Sequence, residues 1–393
     1  MAYRQKSKKI MINKLRRINK LPKNKIMLGP PYLTRDDEKE VIKVIRSGQL
    51  SLGPMTEKFE NNFADWIGST HAVATSSGTS ALHLCVRALG IEENDEVITS
   101  PFSFVSSANC ILYEKAKPVF VDIDPVSLNI DADKIEQAIT SKTKAILIVH
   151  IFGLPADLDK IYAIAKKNNL SIIEDAAEAL GATYKGKKIG IQGNLTAFAF
   201  YANKQMTTGE GGMITTNSVK QYQLLKSLVN QGRKINSEWL HHQYLGYNYR
   251  LDELSAALGV SQLNKLDLFL KNRQRVARWY NQLLKNNPEV ALLENDNDKI
   301  RSWFVYVIKL KNPSKRDKLM TGLRKCKIPS RAYLPPIHLQ PFYKEMFSFK
   351  KGDFPVCEKI ASQTLALPFY TGMIKNQVEL VCNTFNQVLK SVK

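Results

Sequence analysis

The chain has 393 residues, of which 44% are hydrophobic, so it has ample material for a buried core and is not disordered overall. Its apolar runs are short and interrupted by charge, far below the length of about 20 residues that a membrane span needs, and we expect a soluble protein. The formal net charge of +21 suits an anionic partner, such as nucleic acid, a membrane surface or a phosphate-bearing substrate, without choosing among them.

Residues 1–25 are rich in lysine and arginine and contain no acidic residue, and we expect them to form a flexible basic arm. This segment has charges throughout and lacks the sustained apolar stretch of a signal peptide. The cysteines are odd in number and show no paired metal spacing: Cys85, Cys110, Cys326, Cys357 and Cys382. We therefore expect free thiols in a reduced cytoplasm, and no metal site.

From about residue 70, short apolar segments alternate with amphipathic helical segments, which is the pattern of an α/β fold with a mostly parallel sheet covered on both faces. Seven segments have the composition of strands: HAVATS, DEVITSP, PVFVDI, AILIVH, SIIEDA, LTAFAFY and GMITTN. A long helical region, from DELSAALG to YNQLLKN, predicts a bridge between two domains. We place the large domain at residues 26–265 and a smaller C-terminal α+β domain at residues 266–393.

Ligands of open α/β sheets collect at the carboxyl ends of the strands, and two of these ends carry distinctive groups. HAVATS leads into SSGTS and a helix that starts near Thr79, where free backbone amides can bind a phosphate and Gly78 allows close approach. SIIEDA ends on Asp175, a carboxylate that can pair with a ring nitrogen and hold it protonated. Taken singly, both features are also explained by ordinary helix caps.

A third strand end carries Lys204, which follows LTAFAFY and precedes the glycine-rich sequence TTGEGG. Lysines are rarely buried, so most lysines in such a loop are simply solvated. An amine in a partly desolvated pocket, however, has a lowered pKa and can form a Schiff base with an aldehyde. A phosphate site, a ring-nitrogen carboxylate and an aldehyde-binding lysine, in chain order, together predict pyridoxal 5'-phosphate as the cofactor.

From about Leu28 to its end, the chain resembles the DegT/StrS-type aminotransferases, which are fold-type-I pyridoxal phosphate enzymes that act on nucleotide-linked keto sugars. The matching segments include SSGTSALHL, IIEDAAEALGATYKGKKIG, NKQMTTGEGGMITTN, LGYNYRLDELSAALGVSQL and PPIHLQPFY. EDAAEALG and GYNYRL look more like the GDP-perosamine-synthase-like 4-aminotransferases. The resemblance implies transfer of an amino group from glutamate to a nucleotide-linked 4-keto-6-deoxy sugar, for amino-sugar and surface polysaccharide biosynthesis.

The resemblance also implies roles for individual residues. Lys204 would be the lysine that binds the cofactor aldehyde and shuttles protons, and Asp175 the partner of the pyridinium nitrogen. Gly78 and Thr79 would bind the cofactor phosphate, and Phe104, in SPFSFVSS, would stack on the ring.

In this family the active site straddles a dimer interface, so a homodimer with shared active sites is implied, in which Asn248 reaches the phosphate of the other subunit. His338 and Arg250 would bind substrate, although each can equally be a structural residue. The chain departs from the commonest family pattern twice, with Glu178 near the cofactor hydroxyl in place of Gln or His, and with Ala199 in place of a phosphate-binding serine. The missing hydroxyl removes a hydrogen bond worth roughly 1.5–3 kcal/mol.

Several alternatives stay open. The chain could be a 3-keto sugar aminotransferase, or a homologue that binds the cofactor but has a regulatory or polyanion-binding role, which the net charge of +21 favours. A sugar dehydratase of the same family would have histidine in place of Lys204. The sequence has no helix-turn-helix, zinc or RNA-binding signature, so we expect no specific nucleic-acid partner. The nucleotide of the substrate, which could be GDP, UDP or a thymidine diphosphate, also stays open.

Overall fold

A computed structural model of the chain describes Ile18 and residues 25–234, 240–293 and 298–392. The predicted basic arm, residues 1–25, therefore lies outside the described residues except for Ile18 and Lys25. The α-helices are α1 (Arg35–Ser47), α2 (Pro54–Ile67), α3 (Gly78–Ala88), α4 (Ser106–Leu112), α5 (Leu158–Lys167), α6 (Val219–Leu228), α7 (Glu253–Leu263), α8 (Leu266–Leu284), α9 (Arg316–Lys325), α10 (Pro341–Phe347), α11 (Pro355–Gln363) and α12 (Lys375–Ser391).

The strands divide among three sheets. They are β1 (His71–Thr75), β2 (Glu96–Thr99), β3 (Lys117–Phe120), β4 (Thr143–Val149), β5 (Ser171–Asp175), β6 (Thr183–Tyr184), β7 (Lys187–Lys188), β8 (Leu195–Ala199), β9 (Gly212–Thr216), β10 (Val290–Leu292), β11 (Lys299–Ile300), β12 (Tyr306–Leu310), β13 (Arg331–Ala332) and β14 (Thr364–Leu367). Each of the seven predicted strand segments overlaps one strand, although β3 and β4 begin one and two residues before the predicted segments.

The seven predicted strands form one sheet in the order β1-β9-β8-β5-β4-β2-β3. Strands β3, β2, β4, β5 and β8 pair in parallel with one another in that order. Strand β9 pairs antiparallel with both β8 and β1. The prediction of a mostly parallel α/β sheet is therefore confirmed, and the reversal occurs where only one loop separates two strands, after β8.

Both faces of this sheet are buried, as β4 shows most clearly. Its side chains alternate between two apolar clusters, with Ile146 and Ile148 in one and Leu147 and Val149 in the other. All four are almost inaccessible to solvent. Burial on both faces explains why the segment AILIV is continuously apolar and does not alternate with polar residues.

The predicted long helical region consists of two helices, because α7 ends at Leu263 and α8 begins at Leu266. Between them, the buried Lys265 donates from Nζ to Asp37 Oδ1 at 2.7 Å and to Thr34 Oγ1 at 3.1 Å. This ion pair anchors the break to the start of α1. The break coincides with the predicted domain boundary, which itself stays a prediction.

Helix α8 connects the large sheet to a second apolar core. Its first residue packs in a cluster beside the large sheet, and its last residue, Leu284, packs in a cluster built on β12, β14 and α12. Strands β10, β12, β14 and β13 form an antiparallel sheet in that order. Ile26 joins the same cluster, and Phe369 N–H donates to Leu28 O at 2.7 Å, so residues near both ends of the described chain meet there.

Gly153, which follows β4, marks the closest approach of the large sheet to the segment before β12. Its φ is +78°, and a Cβ at this position would overlap the carbonyl oxygen of Ser302. Ser302 N–H donates to Gly153 O at 2.9 Å. Ser302 Oγ in turn accepts from Gln205 Nε2 at 2.9 Å, one residue from Lys204. The two chain segments thus brace the loop that carries the lysine.

We expect Gly153→Ala to destabilise the protein by more than the cost of its positive φ alone. That conformation costs an alanine about 1–2 kcal/mol, and displacement of Ser302 adds about 1–3 kcal/mol. The matched control is Gly90→Ala, because Gly90 has a φ of +70° and no atom within 4 Å of its virtual Cβ. Urea unfolding of both variants measures the difference, and equal losses of stability would contradict this account.

Candidate active site

A cavity of about 500 Å³ opens where β1, β4, β5 and β8 end. The structure brings six of the predicted site residues together in its wall: Gly78, Thr79, Phe104, Asp175, Glu178 and Lys204. Ala199, the position at which the family usually has serine, also lines it. The carboxyl ends of the strands therefore form the site at the edge of the sheet where ligands of such sheets bind.

The start of α3 forms one wall of the cavity. Ser77 caps the helix, because its Oγ accepts from Ser80 N–H at 3.0 Å, so the capping expected from the sequence is present. Gly78 lies directly against β8, since a Cβ at this position would be 2.5 Å from Ala199 Cβ. Thr79 Oγ1 lies 2.8 Å from the hydroxyl of Ser106. The first amides of α3, the helix dipole and these hydroxyls together suit a bound phosphate.

Asp175 presents a buried carboxylate at the end of β5, with 6% of the residue exposed. Its Oδ2 accepts from Ser107 Oγ at 2.6 Å, and its Oδ1 accepts from Ala177 N–H at 3.1 Å. The Ser107 hydroxyl also lies 2.7 Å from Ser103 Oγ. A carboxylate has about four lone-pair sites, so Asp175 retains capacity to accept a further hydrogen bond from a ring nitrogen.

Lys204 lies in the loop between β8 and β9, with its Nζ 3.9 Å from the centroid of the Phe304 ring. No described residue forms a hydrogen bond or ion pair with this Nζ. Burial lowers the pKa of Lys204 below its ordinary value, although the negative charges of Glu178 and Asp175 act in the opposite direction. Burial thereby increases the fraction of Lys204 that is a neutral amine, which is the nucleophilic form.

Glu178 is the second carboxylate in the cavity wall, and it is buried. Burial raises the pKa of Glu178, against the opposing charge of Lys204. Its Oε2 accepts from Phe152 N–H at 2.8 Å. Burial therefore disfavours the charged forms of both Glu178 and Lys204.

Three predicted site residues do not line the cavity of the single chain. Asn248 is exposed. Arg250 Nη1 donates to Asn230 Oδ1 at 2.9 Å. His338 is fully buried, with its Nε2 3.1 Å from Glu358 Oε1, and burial lowers its pKa. The roles of these residues in binding phosphate or substrate stay predictions.

Ser107 and Phe304 are among the site residues that the sequence did not reveal. Ser107 had a detectable signal, because it follows Ser103 by four residues in a segment already singled out for Phe104, and that spacing brings hydroxyls together on a helical turn. Phe304 had none, since it lies about 100 residues beyond Lys204 in the apolar segment RSWFVYVIKL. Only the tertiary fold brings it to the lysine.

The cavity matches the functional groups of pyridoxal phosphate. It offers helix amides for a phosphate, a carboxylate for a ring nitrogen, and an unpaired amine for an aldehyde. Asn203 also lines it, and within the described ranges its buried Oδ1 has no hydrogen-bond partner, as expected of a wall that faces a polar ligand. The residues present therefore fit the predicted cofactor.

In the part of the chain that the structure describes, no three His, Cys, Asp or Glu side chains are grouped so that they could hold a metal ion. None of the described helices is long and apolar enough to span a bilayer.

Comparison with known proteins gives consistent matches over most of the chain. The model of the DegT/DnrJ/EryC1/StrS aminotransferase family matches residues 31–386. The chain is 37% identical over 374 residues to GDP-perosamine synthase of Caulobacter vibrioides, covering 93% of this chain and 98% of that protein. It is 37% identical over 373 residues to the spore coat polysaccharide biosynthesis protein SpsC of Bacillus subtilis, covering 92% and 96%. The PLP form of the putative sugar aminotransferase Spr1654 from Streptococcus pneumoniae has a TM-score of 0.90 and 27% identity, covering 94% of this chain and 100% of that one.

Because burial lowers the pKa of Lys204, we expect Lys204→Met to stabilise the cofactor-free protein by about 0.5–2 kcal/mol at neutral pH. Between the lowered pKa and the ordinary value, the unfolded chain binds a proton that the folded chain does not, so wild-type stability rises with pH through that window. The advantage of Lys204→Met is therefore largest below the lowered pKa and disappears as pH rises to the ordinary value.

Thermal unfolding of both proteins across this pH range measures the effect. The matched control is Lys187→Met, because Lys187 is exposed and loses little solvation on folding. A Lys204→Met variant that is less stable than wild type at neutral pH would show that the amine has a stabilising partner.

Proposed function

Since the chain belongs to the DegT/DnrJ/EryC1/StrS aminotransferase family and is a pyridoxal-phosphate-dependent sugar aminotransferase, we propose that it transfers the amino group of glutamate to the keto carbon of a nucleotide-linked 4-keto-6-deoxy sugar. The proposal depends mainly on one observation, the meeting of Lys204, Asp175 and the start of α3 in a single cavity. The similarity to a GDP-perosamine synthase and to a spore coat polysaccharide biosynthesis protein supports a role in amino-sugar and surface polysaccharide biosynthesis.

In this proposal each wall of the cavity binds one part of the cofactor. The backbone amides of Gly78 and Thr79 bind the phosphate, and the hydroxyls around them replace the contact that Ala199 does not provide. Phe104, 63% exposed and lining the cavity, covers one face of the ring. Asp175 accepts the hydrogen bond of the protonated ring nitrogen.

When bound, pyridoxal phosphate supplies an aldehyde that takes up the amino group and a ring that stores the electron pair released at the substrate carbon. Asp175 keeps the ring nitrogen protonated, which makes that storage effective. Lys204 Nζ would accept the proton from the amino-bearing carbon of glutamate and, in the second half of the cycle, would deliver a proton to the carbon of the sugar that receives the amine. Its lowered pKa keeps part of the amine neutral, as a proton acceptor requires. Glutamate and the keto sugar use the same cavity in turn, so ping-pong kinetics follow.

We further propose a homodimer in which Asn248 reaches the cofactor phosphate of the other subunit. Asn248 is exposed, and the carbonyl of its neighbour Tyr249 accepts from Ser76 N–H at 2.6 Å, directly before the phosphate-binding turn. The mouth of the cavity and the nearby loop expose large apolar side chains, since Tyr201 is 51% and Leu245 78% exposed. A second copy of the chain would cover this surface.

We expect the absorbance spectrum of the purified protein to change when glutamate is added and to recover when the correct keto sugar follows. Lys204→Ala should lower the rate of amine transfer by about 10²–10⁴-fold, because it removes the proton-transferring group. The matched control is Lys187→Ala, an exposed lysine outside the cavity, which should keep wild-type turnover. Full turnover by Lys204→Ala would refute the role of this lysine.

A panel of substrates identifies the sugar. GDP-, UDP- and thymidine-diphosphate-linked sugars with the ketone at carbon 4 or carbon 3 are each offered to the glutamate-treated enzyme. Amine formation on a 4-keto-6-deoxy sugar is expected. Reaction with the 3-keto compounds alone would favour the 3-aminotransferase alternative, and reaction with none would favour a homologue with a regulatory or polyanion-binding role.

A mixing experiment tests the shared active site. Lys204→Ala and Asn248→Ala chains should each be nearly inactive, but a heterodimer of the two contains one site with both residues intact. Random exchange of subunits should therefore restore about a quarter of the wild-type sites. Activity of the mixture is measured after subunits have exchanged, with each variant alone as the control. No recovery, when exchange is verified by mass spectrometry, would show that Asn248 serves its own chain or none.

A further inference from the structure

A second carboxylate, Glu174, lies directly behind the ring-binding carboxylate. It precedes Asp175 on β5, and successive side chains of a strand point to opposite faces, so Glu174 lies on the far face of the sheet. The residue is fully buried. Its Oε2 lies 3.0 Å from His150 Nε2, and its Oε1 accepts from Tyr162 Oη at 2.8 Å and from Asn194 Nδ2 at 3.0 Å.

The hydrogen bonds determine the charge of this group. His150 Nδ1 accepts from Ala156 N–H at 3.2 Å, and a ring nitrogen that accepts carries no proton. His150 is therefore neutral, with its proton on Nε2, and donates to Glu174. All three partners of Glu174 then donate, which is the arrangement that an ionised carboxylate requires. The cluster has a net charge of minus one.

Three donated hydrogen bonds oppose the effect of burial on this carboxylate. Burial raises the pKa of Glu174, and the hydrogen bonds from His150, Asn194 and Tyr162 act in the opposite direction. Burial and the negative charge of Glu174 together raise the pKa of Tyr162, so the phenol stays protonated and remains a donor. The negative charge of Glu174 is therefore permanent over the neutral range.

The cluster is connected directly to the site. The backbone N–H of His150 donates to the carbonyl oxygen of Asp175 at 3.1 Å, so the ends of β4 and β5 form one unit. The ionisable groups that act on the two carboxylates include Cys85, Cys110, His150, Tyr162, Glu178 and Lys204. Lys204 lies on the cavity side, and His150, which contacts Glu174 on the far face, is neutral in the hydrogen-bonding arrangement described above.

We propose that Glu174 is a positioning residue whose permanent negative charge, acting through Asp175, strengthens the hold of the cofactor ring nitrogen on its proton. A buried negative charge stabilises a nearby positive one, and the packed sheet screens this effect far less than water does. The inference relies on the proposed function in one respect, that Asp175 binds the ring nitrogen. Strand β5 then carries one negative charge on each face of the sheet, and only the charge of Asp175 touches the cofactor.

The first test examines His150 in the unsubstituted holoenzyme. With ¹⁵N-labelled histidine, the chain gives signals from only six histidines, and His150 is assigned with His150→Gln. The expected result is a neutral ring with its proton on Nε2, as the hydrogen bond from Ala156 N–H to Nδ1 requires. A doubly protonated His150 would make the cluster neutral. This result would overturn the proposal independently of the measurements on Glu174→Gln and Tyr162→Phe.

The second test removes the charge. In Glu174→Gln loaded with ¹⁵N-labelled pyridoxal phosphate, the ring nitrogen should lose its proton about one pH unit lower than in wild type, and the alkaline limb of the kcat profile should move with it. The matched control is Tyr162→Phe, which removes one hydrogen bond to the same carboxylate but keeps its charge. This control should lower the unfolding temperature without moving the ring titration.

The outcomes separate a charge effect from a structural one. Equal shifts in the two variants, or an unchanged ring titration in Glu174→Gln, would overturn the proposal. Failure of Glu174→Gln to fold leaves the histidine measurement to decide. A failure of the proposed function is recognised separately, because the unsubstituted enzyme would then lack amine transfer or would hold its ring nitrogen unprotonated.

Discussion

The site depends on one constraint, which is that parallel strands buried on both faces can expose polar groups only at their ends. Strands β4, β5 and β8 run in the same direction between two apolar clusters, and before their ends they carry only two charged side chains, Lys144 on β4 and Glu174 on β5. The groups that follow them emerge at one edge, together with the start of α3 after β1. Residues from Gly78 to Lys204 thus meet in one cavity although they are far apart in the chain.

This constraint makes the site electrostatically costly. Burial disfavours the charged forms of Lys204 and Glu178, yet both line the same cavity as Asp175. A sheet optimised for stability alone would place apolar side chains at these positions. Such a loss of stability is typical of functional sites. A bound ligand whose charges complement those of the wall would reduce the cost of burying them.

The sequence was informative wherever the signal is local. Strand segments, the cap at Ser77, and the positions of Asp175 and Lys204 follow from short patterns, and the structure places them as those patterns predict. Long-range contacts gave no such signal. Phe304 reaches Lys204, and Lys265 reaches Asp37, only because distant segments pack together. The roles of Asn248, Arg250 and His338 stay predictions, because contacts with a second chain or a substrate are not encoded in local periodicity.

The contact between Leu28 and Phe369 has a consequence for how the molecule is made. The apolar cluster built on β12, β14 and α12 includes Ile26, although its other buried residues come from Val276 onward. A ribosome releases Ile26 long before it releases the residues from Val276 to Leu389, so this core cannot be completed until that later segment has been synthesised. The large sheet is available for folding much earlier. A chain that has been synthesised only as far as the large sheet therefore lacks Phe304 in the wall of the cavity.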